Sequence, residues 1–191
     1  MKFFKCFYRY QESIVLNGTL WIDETFVPVN RSRLRHREDG KLLRGTSVNQ
    51  AVICAGIGMD GKRFAFVAGR GHVSSARCLE VYGSHIEPGS TVIHDGVFSH
   101  DRLIREKSLV SRTCKAAAKS SRPMMRKIDG FCSMIKRTYV VHIGGKTEYL
   151  QDYLNWVCFK AQLKGMKYEE KVDFVEAFCF QNRMVFRRKD R

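Results

Sequence analysis

The chain has 191 residues, enough for one well-buried domain and a small appendage. Its 44% of apolar residues and only 3 prolines exclude a disordered or low-complexity chain. With 34 Lys and Arg against 19 Asp and Glu, the formal net charge is +15. This excess favours a polyanionic partner, most commonly nucleic acid, although some cytosolic proteins are simply basic.

Seven cysteines are spread along the chain, and none forms a Cys-x-x-Cys pair. Because an odd number cannot pair completely, we expect free thiols in a reducing compartment rather than disulfides or a cysteine-ligated zinc site. The N-terminal residues lack the apolar core of a signal peptide, and no apolar run reaches the ~18 residues of a membrane-spanning helix. We therefore expect a cytoplasmic protein with no membrane partner.

The first half of the chain predicts three strands and then a helix. The strands are rich in β-branched, aromatic and other apolar residues and cover 18–27, 48–58 and 62–69. An Asp-Gly turn at 59–62 is typical of a hairpin between the last two. The polar, basic stretch 30–45 has no apolar periodicity and predicts a mobile loop. Residues 74–86 predict a helix that begins at a serine cap.

The second half alternates strands with helices. Strands are predicted at 91–96 and 108–113, helices at 99–106, 124–141, 147–163 and 168–180, and a basic connector at 115–123. An antiparallel meander followed by strand–helix alternation indicates an α/β protein with a mixed sheet flanked by helices.

Three aspartates stand where a carboxylate is costly unless it binds a cation or another partner. Asp23 interrupts the first strand, Asp95 ends the strand at 91–96, and Asp129 opens the helix at 124–141. Converging carboxylates on rigid elements are what two divalent cations need for phosphodiester cleavage. Each aspartate also has an ordinary explanation: Asp23 could pair with a buried arginine, Asp95 could belong to a turn, and Asp129 could be solvated.

Four segments carry a family resemblance: YQESIVLNGTLWIDETFV, VIHDGVFSH, IDGFCSMIKR and GGKTEYLQDYLNW. In this order they resemble bacterial insertion-sequence transposases of the DDE superfamily, in a subgroup with members that carry a zinc ribbon and a helix-turn-helix before the catalytic domain. The resemblance implies a ribonuclease H-like fold and metal-dependent DNA cleavage and strand transfer with two Mg²⁺ or Mn²⁺ ions. It also implies a homodimer or higher multimer on DNA.

In that family the first two metal ligands are Asp, which fall on Asp23 and Asp95, and the third is Glu or Asn, which falls on Asp129. Aspartate is one methylene shorter than glutamate, so the helix must approach the metals more closely. We interpret Asp129 as a functional variant, with a degraded site as the alternative.

The resemblance also suggests a division of the chain. We expect a lead-in at 1–15, the catalytic domain at 16–165, and a C-terminal helix with a basic tail at 166–191. These residues show no zinc ribbon or helix-turn-helix, so an inactive, truncated DNA-binding remnant of a transposase is one alternative. A ribonuclease H-like nuclease that only hydrolyses is another.

The segment between the second and third aspartates is strongly basic: from Arg102 to Arg137, eleven Lys and Arg stand against Glu106 and Asp129. Because an ordinary solvated face mixes both signs, we favour binding of a DNA backbone here. The candidate DNA-binding residues are Arg112, Lys115, Lys119, Arg122, Arg126, Lys127, Lys136 and Arg137.

Three neighbours of the aspartates need separate interpretations. Lys136 lies two helical turns after Asp129 and so on the same face, where it could contact a phosphate, hold a carboxylate or simply be solvated. Glu24 faces the opposite side of its strand from Asp23 and is not counted as a ligand. His94 is expected to be a packed core histidine rather than a residue that supports a metal ligand.

Overall fold

The computed structural model describes residues 2–114, 122–143 and 147–181. Its strands are β1 (Thr19–Pro28), β2 (Gln50–Gly58), β3 (Arg63–Arg70), β4 (Thr91–His94) and β5 (Val110–Thr113). Its α-helices are α1 (Lys2–Glu12), α2 (Ser75–Gly83), α3 (Asp101–Glu106), α4 (Arg122–Thr138), α5 (Leu150–Gln162) and α6 (Tyr168–Gln181).

The described strands form one mixed sheet in the order β3-β2-β1-β4-β5. The strands β1, β2 and β3 pair antiparallel, whereas β4 is parallel to both β1 and β5. This arrangement confirms the predicted mixed α/β sheet, with an antiparallel meander followed by alternating strands and helices along the chain. It is a ribonuclease H-like arrangement, with an antiparallel meander on one side of β1 and parallel strands on the other.

Each sheet face is covered by helices, because successive residues of a strand point to opposite faces. On the face covered by α4 and α5, called here the α4 face, Trp21, Ala55 and Ile93 are buried. The opposite face packs against α2 and α3 and buries Leu20 and Val92. The predicted helical stripe of α4 is confirmed, since its apolar residues Ile128, Phe131, Ile135 and Tyr139 all enter the core of the α4 face.

Polar contacts at both ends hold α4 along β1. Near the start of α4, the Trp21 indole Nε1 donates to the Met124 carbonyl at 2.7 Å. Just past its end, the Tyr139 hydroxyl donates to the Pro28 carbonyl. Since Trp21 and Pro28 lie towards opposite ends of β1, the helix is fixed both along its axis and against the sheet.

The helix α1 was not predicted from the sequence. Its Phe7 ring stacks on Phe159 of α5 and Phe178 of α6, with centroids 4.4 and 5.8 Å apart. Its buried Gln11 donates to Asn155 Oδ1 and accepts from the Ala65 amide at 2.6 Å. Packing on α5 and on the edge strand β3 stabilises this short helix.

Other elements differ from their predicted bounds. The strand predicted at 91–96 ends at His94, and the helix predicted at 124–141 passes at Tyr139 into one π-helical turn, Tyr139–Ile143. In 30–45 the regular structure is one 3₁₀ turn, Arg31–Arg33, and an isolated bridge between His36 and Leu42. The cysteines that the structure describes are free thiols, as predicted. No helix among the described residues is long and apolar enough to cross a membrane.

Candidate metal centre

The register of the parallel pair brings Asp23 beside Asp95. In β1 and β4, Trp21 lies opposite Ile93, and both side chains enter the core of the α4 face. Because residues two apart share a face, Asp23 and Asp95 follow on this same side, where β4 ends. The Asp95 Oδ1 accepts a hydrogen bond from the Val97 amide at 3.1 Å, which fixes the carboxylate just past the strand.

The helix α4 brings Asp129 to the same place. Cys132 of α4 is buried against β1, with its Sγ 3.8 Å from Asp23 Oδ2. Asp129 lies three residues earlier, about one turn along the helix, and therefore on the same side of it. Its side chain is exposed, whereas those of Asp23 and Asp95 are half-buried.

The three aspartates repel one another. Burial raises the pKa of Asp23 to about 7, and the charges of Glu24, Asp95 and Asp129 add to the increase, against a hydrogen bond from the Glu24 amide that lowers it. Within the described ranges, no lysine or arginine forms an ion pair with any of the three aspartates. The structure therefore gathers three carboxylates here without a lysine or arginine partner; the nearest cationic group is the His100 ring, with Nδ1 3.9 Å from Asp95 Oδ1.

The aspartate cluster is open rather than tight. Among the described residues, the three aspartates do not form a set with all ligand oxygens within 4.8 Å of one another. Two cations about 4 Å apart, each bound by part of the set, suit such spacing better than a single ion bound by all three carboxylates.

Lys136 lies on the aspartate side of α4. Burial raises the pKa of the Cys132 thiol and the charge of Asp23 raises it further, whereas the charge of Lys136 lowers it. The Lys136 ammonium is therefore close enough to lower the pKa of the Cys132 thiol, which lies beside Asp23. The Lys136 side chain itself is exposed. An exposed ammonium beside the carboxylates can meet an incoming phosphate.

Behind Asp95, on the opposite sheet face, lies a network of buried polar groups. Glu24 Oε1 accepts from the Tyr82 hydroxyl and lies 2.9 Å from His100 Nε2. The other nitrogen of His100, Nδ1, lies 3.0 Å from His94 Nδ1 and 3.9 Å from Asp95 Oδ1. Burial alone would lower the pKa of His100, but its hydrogen bond to the Glu24 carboxylate raises the pKa above the ordinary value.

This network confirms two predictions and adds one residue. Glu24 does face away from Asp23, and His94 is a buried histidine with a partner, since its Nε2 lies 2.9 Å from Ser111 Oγ. The sequence did not single out His100, because its partner Glu24 is 76 residues away and no spacing signals the pair. Two sets of ligand-type atoms occur here within 4.8 Å: Glu24, Cys78 and His100, and His94, Asp95 and His100.

The candidate DNA-binding residues have different surroundings. Arg112 lies opposite Ile93 in the sheet and hence on the α4 face, and it is exposed, as are Arg126, Lys136 and Arg137 of α4. Lys127 instead donates to the Gly58 and Met59 carbonyls, each at 2.9 Å, and lies 4.8 Å from the centre of the Trp21 ring. Lys115 and Lys119 lie outside the described residues, as does the side chain of Arg122.

Fold and site define a class of protein: a ribonuclease H-like domain with aspartates gathered within one central strand, just past its parallel neighbour and on the facing helix. Residues 15–162 match the model of the ISXO2-like transposase domain family. The match covers most of the chain, and the chain belongs to this family. A comparison with curated proteins gave no match.

Two solved structures are similar at low identity. One is a pre-cleavage Mos1 transpososome, 12% identical, covering 95% of this chain and 60% of that chain with a TM-score of 0.34. The other is a Mos1 mariner paired end complex with Mn, 13% identical, covering 82% of this chain and 57% of that chain with a TM-score of 0.32. The chain thus spans about 60% of the length of the transposase chains that it matches.

Proposed function

We propose that this chain is a transposase catalytic domain that cleaves DNA and joins DNA strands with divalent cations bound by Asp23, Asp95 and Asp129. The observation that carries the proposal is the convergence of three carboxylates: Asp23 half-buried on β1, Asp95 just past the neighbouring strand β4, and Asp129 on the helix that packs over Asp23. Their mutual repulsion is consistent with the raised pKa of Asp23. A protein of this family that only used the fold to bind DNA would have no need for such a costly cluster of acids.

The donor set fits Mg²⁺ or Mn²⁺. All three side chains offer carboxylate oxygens, which these hard cations prefer. Asp23 and Asp95 leave rigid strands, and α4 is held at both ends, so all three positions are set by regular elements. Two bound cations would supply activation of the attacking oxygen and stabilisation of the leaving oxygen at the phosphorus.

The chain's own residues orient the carboxylates and the DNA. The Val97 amide and the His100 ring hold the loop that carries Asp95, and Glu24 and Tyr82 hold His100 from the other face of the sheet. A loop fixed in this way limits the displacement of Asp95, and a misplacement of about 1 Å is costly for in-line attack.

Exposed cations on the same side of the sheet would take the DNA backbone. Arg112 on β5 and Arg126, Lys136 and Arg137 on α4 are exposed cations on the same side of the sheet as the aspartates. Their contacts would be to phosphates, which position DNA without reading its sequence. Lys127 contributes less in this proposal, because its ammonium already holds the turn between β2 and β3.

The test is a cleavage and joining assay on the purified chain. Wild type and the variants Asp23→Asn, Asp95→Asn and Asp129→Asn are incubated with flap DNA and with 3′-hydroxyl end DNA in Mg²⁺ or Mn²⁺. Asp173→Asn, which changes an exposed acid on α6, is the matched control. We expect metal-dependent cleavage and joined products from wild type and the control, and a loss of at least a hundredfold in Asp23→Asn and Asp95→Asn.

Each other outcome has a definite meaning. Cleavage without joining identifies a nuclease, and DNA binding without either product identifies a binding remnant and refutes the proposal. Full activity of Asp23→Asn and Asp95→Asn would show that the ligands lie elsewhere. Asp129→Asn introduces a residue that the family uses at this position, so its activity shows whether the third ligand must be charged.

A further inference from the structure

A second basic site lies on the side of α4 away from the aspartates. It is a half-open groove of about 540 Å³ between the C-terminal half of α4, α5 and the start of α6. Met134 and Thr138 of α4 line it, five and nine residues after Asp129, which places them about half a turn round the helix from it. The volume is in the range of sites that enclose a small molecule or one nucleotide.

Four cations, Arg63, Lys160, Lys164 and Lys171, are set among largely apolar residues in the lining of the groove. Among the described residues that line it, none is acidic. Arg63 and Lys171 are half-buried, and in the described parts of the chain no carboxylate forms an ion pair with any of the four cations. Burial lowers the pKa of Arg63, as expected of a cation that has left water without an anionic partner. An anionic ligand would therefore be stabilised here.

One wall of the groove is aromatic. The Trp156 ring contacts Lys160, whose Nζ lies over it at 4.9 Å from the ring centre, and His142, with ring centres 5.9 Å apart and planes at 90°. The exposed His142 ring in turn stacks on Tyr153 at 6.1 Å. Flat rings beside a row of cations are the combination that binds single-stranded nucleic acids, because every base has a face to stack and every linkage has a charge.

We propose that this groove binds one or two unpaired nucleotides of single-stranded DNA. Lys160, Lys164 and Lys171 contact phosphates, and a base packs against the wall of Trp156 and His142. The inference rests on the proposed function, which makes DNA the substrate. A groove of this volume encloses a nucleotide but is too small for a duplex, and its cations and aromatic rings match the phosphates and bases of a single strand.

Binding to fluorescent oligonucleotides tests the groove directly. Fluorescence anisotropy with an oligo-dT strand and with a duplex of the same length is measured in EDTA, so that the metal ligands do not contribute. The variant K164E/K171E is compared with R9E/R70E, which makes the same change of charge at exposed arginines outside the groove. K164Q/K171Q removes the charge without reversing it.

We expect K164E/K171E to bind the single strand at least tenfold more weakly and the duplex less than threefold more weakly. Two lost phosphate contacts should also make the slope of log K against log salt shallower by about 1.4 for the single strand. R9E/R70E should change single-strand binding less than twofold, and K164Q/K171Q should show the same selectivity as K164E/K171E. Equal losses in K164E/K171E and R9E/R70E, equal losses for both DNA forms, or no loss would overturn the proposal.

Two further measurements distinguish failure of the groove proposal from failure of the proposed function. Light scattering shows whether K164E/K171E changes the oligomeric state without DNA; if it does while DNA binding is intact, the groove is an interface between copies and the proposal is wrong. The cleavage assay is run on the same proteins. Selective loss of single-strand binding in a chain that never cleaves supports the groove and refutes the proposed function, whereas normal cleavage with unchanged binding refutes the groove alone.

Discussion

Replacing Asp23 with asparagine should stabilise the metal-free protein at neutral and alkaline pH. Asparagine keeps the side-chain oxygen that accepts from the Glu24 amide at 2.9 Å but removes the charge that Asp95 and Asp129 repel. A residue that binds metal for function is expected to lower stability when the metal is absent, because selection placed it for chemistry rather than for folding.

The magnitude follows from the pKa. Asp23 has a pKa of about 7 in the folded protein against 3.8 as the ordinary value, and each unit of difference corresponds to about 1.4 kcal/mol. The full difference is about 4 kcal/mol, an upper bound because Asp23 is partly exposed and water screens its interactions. Since the folded state holds this proton more tightly than the unfolded state, the free energy of unfolding falls as pH rises from about 4 to about 7 and is then level.

Urea unfolding in EDTA at pH 5 and pH 8 measures the effect. We expect Asp23→Asn to be more stable than wild type by about 2–4 kcal/mol at pH 8, and by clearly less at pH 5, where Asp23 is protonated in the folded state. Adding Mn²⁺ at pH 8 should stabilise wild type more than Asp23→Asn, since the variant has lost one ligand. Asp173→Asn serves as control. An Asp23→Asn variant that is less stable than wild type at pH 8 would refute the reasoning.

Three further predictions concern the supports of the site. Glu24→Leu should lower the free energy of unfolding by about 3 kcal/mol because it leaves the buried Nε2 of His100 without its partner, while Glu24→Gln should cost about 1 kcal/mol since its amide oxygen still accepts; equal costs in urea unfolding would contradict the hydrogen-bonding role. Phe7→Ala should cost about 3–5 kcal/mol in the same assay, and an unchanged midpoint would mean that α1 is not docked. Lys127→Met should cost about 1–2 kcal/mol of stability and weaken DNA binding less than Arg126→Gln does at the same salt; the reverse order in anisotropy titrations would place Lys127 on the DNA.

The elements that carry the three aspartates could be predicted from sequence because each has a simple apolar period, whereas the role of the aspartates as metal ligands stays a prediction. Asp23 and Asp95 interrupt or follow apolar runs, and a parallel pair of strands brings the ends of such runs together. The position of Asp129 was harder to predict, because it depends on how α4 packs on the sheet. Its helical stripe predicted the buried face correctly, and Asp129 lies at the border of that face.

Other features depend on long-range contacts that no local pattern carries. His100 is held by its contact with Glu24 on β1. The helix α1 packs through Phe7 on Phe159 and Phe178, near the other end of the chain. Lys127 looked like its basic neighbours in the sequence, yet its side chain turns to the carbonyls of the β2–β3 turn. The sequence showed where positive charge is dense, but not where each long side chain ends.

The bonds at the two ends of α4 limit how its third aspartate can evolve. A helix held by apolar packing alone can slide by a fraction of a turn to bring a shorter side chain into reach, but the Trp21–Met124 and Tyr139–Pro28 bonds resist such a shift. Exchanging aspartate for glutamate at position 129 therefore changes the reach of the side chain from a fixed anchor, whereas asparagine keeps the reach and removes the charge. At the proposed metal site, a change between aspartate and glutamate would alter the distance to the cations directly, without a compensating shift of the helix.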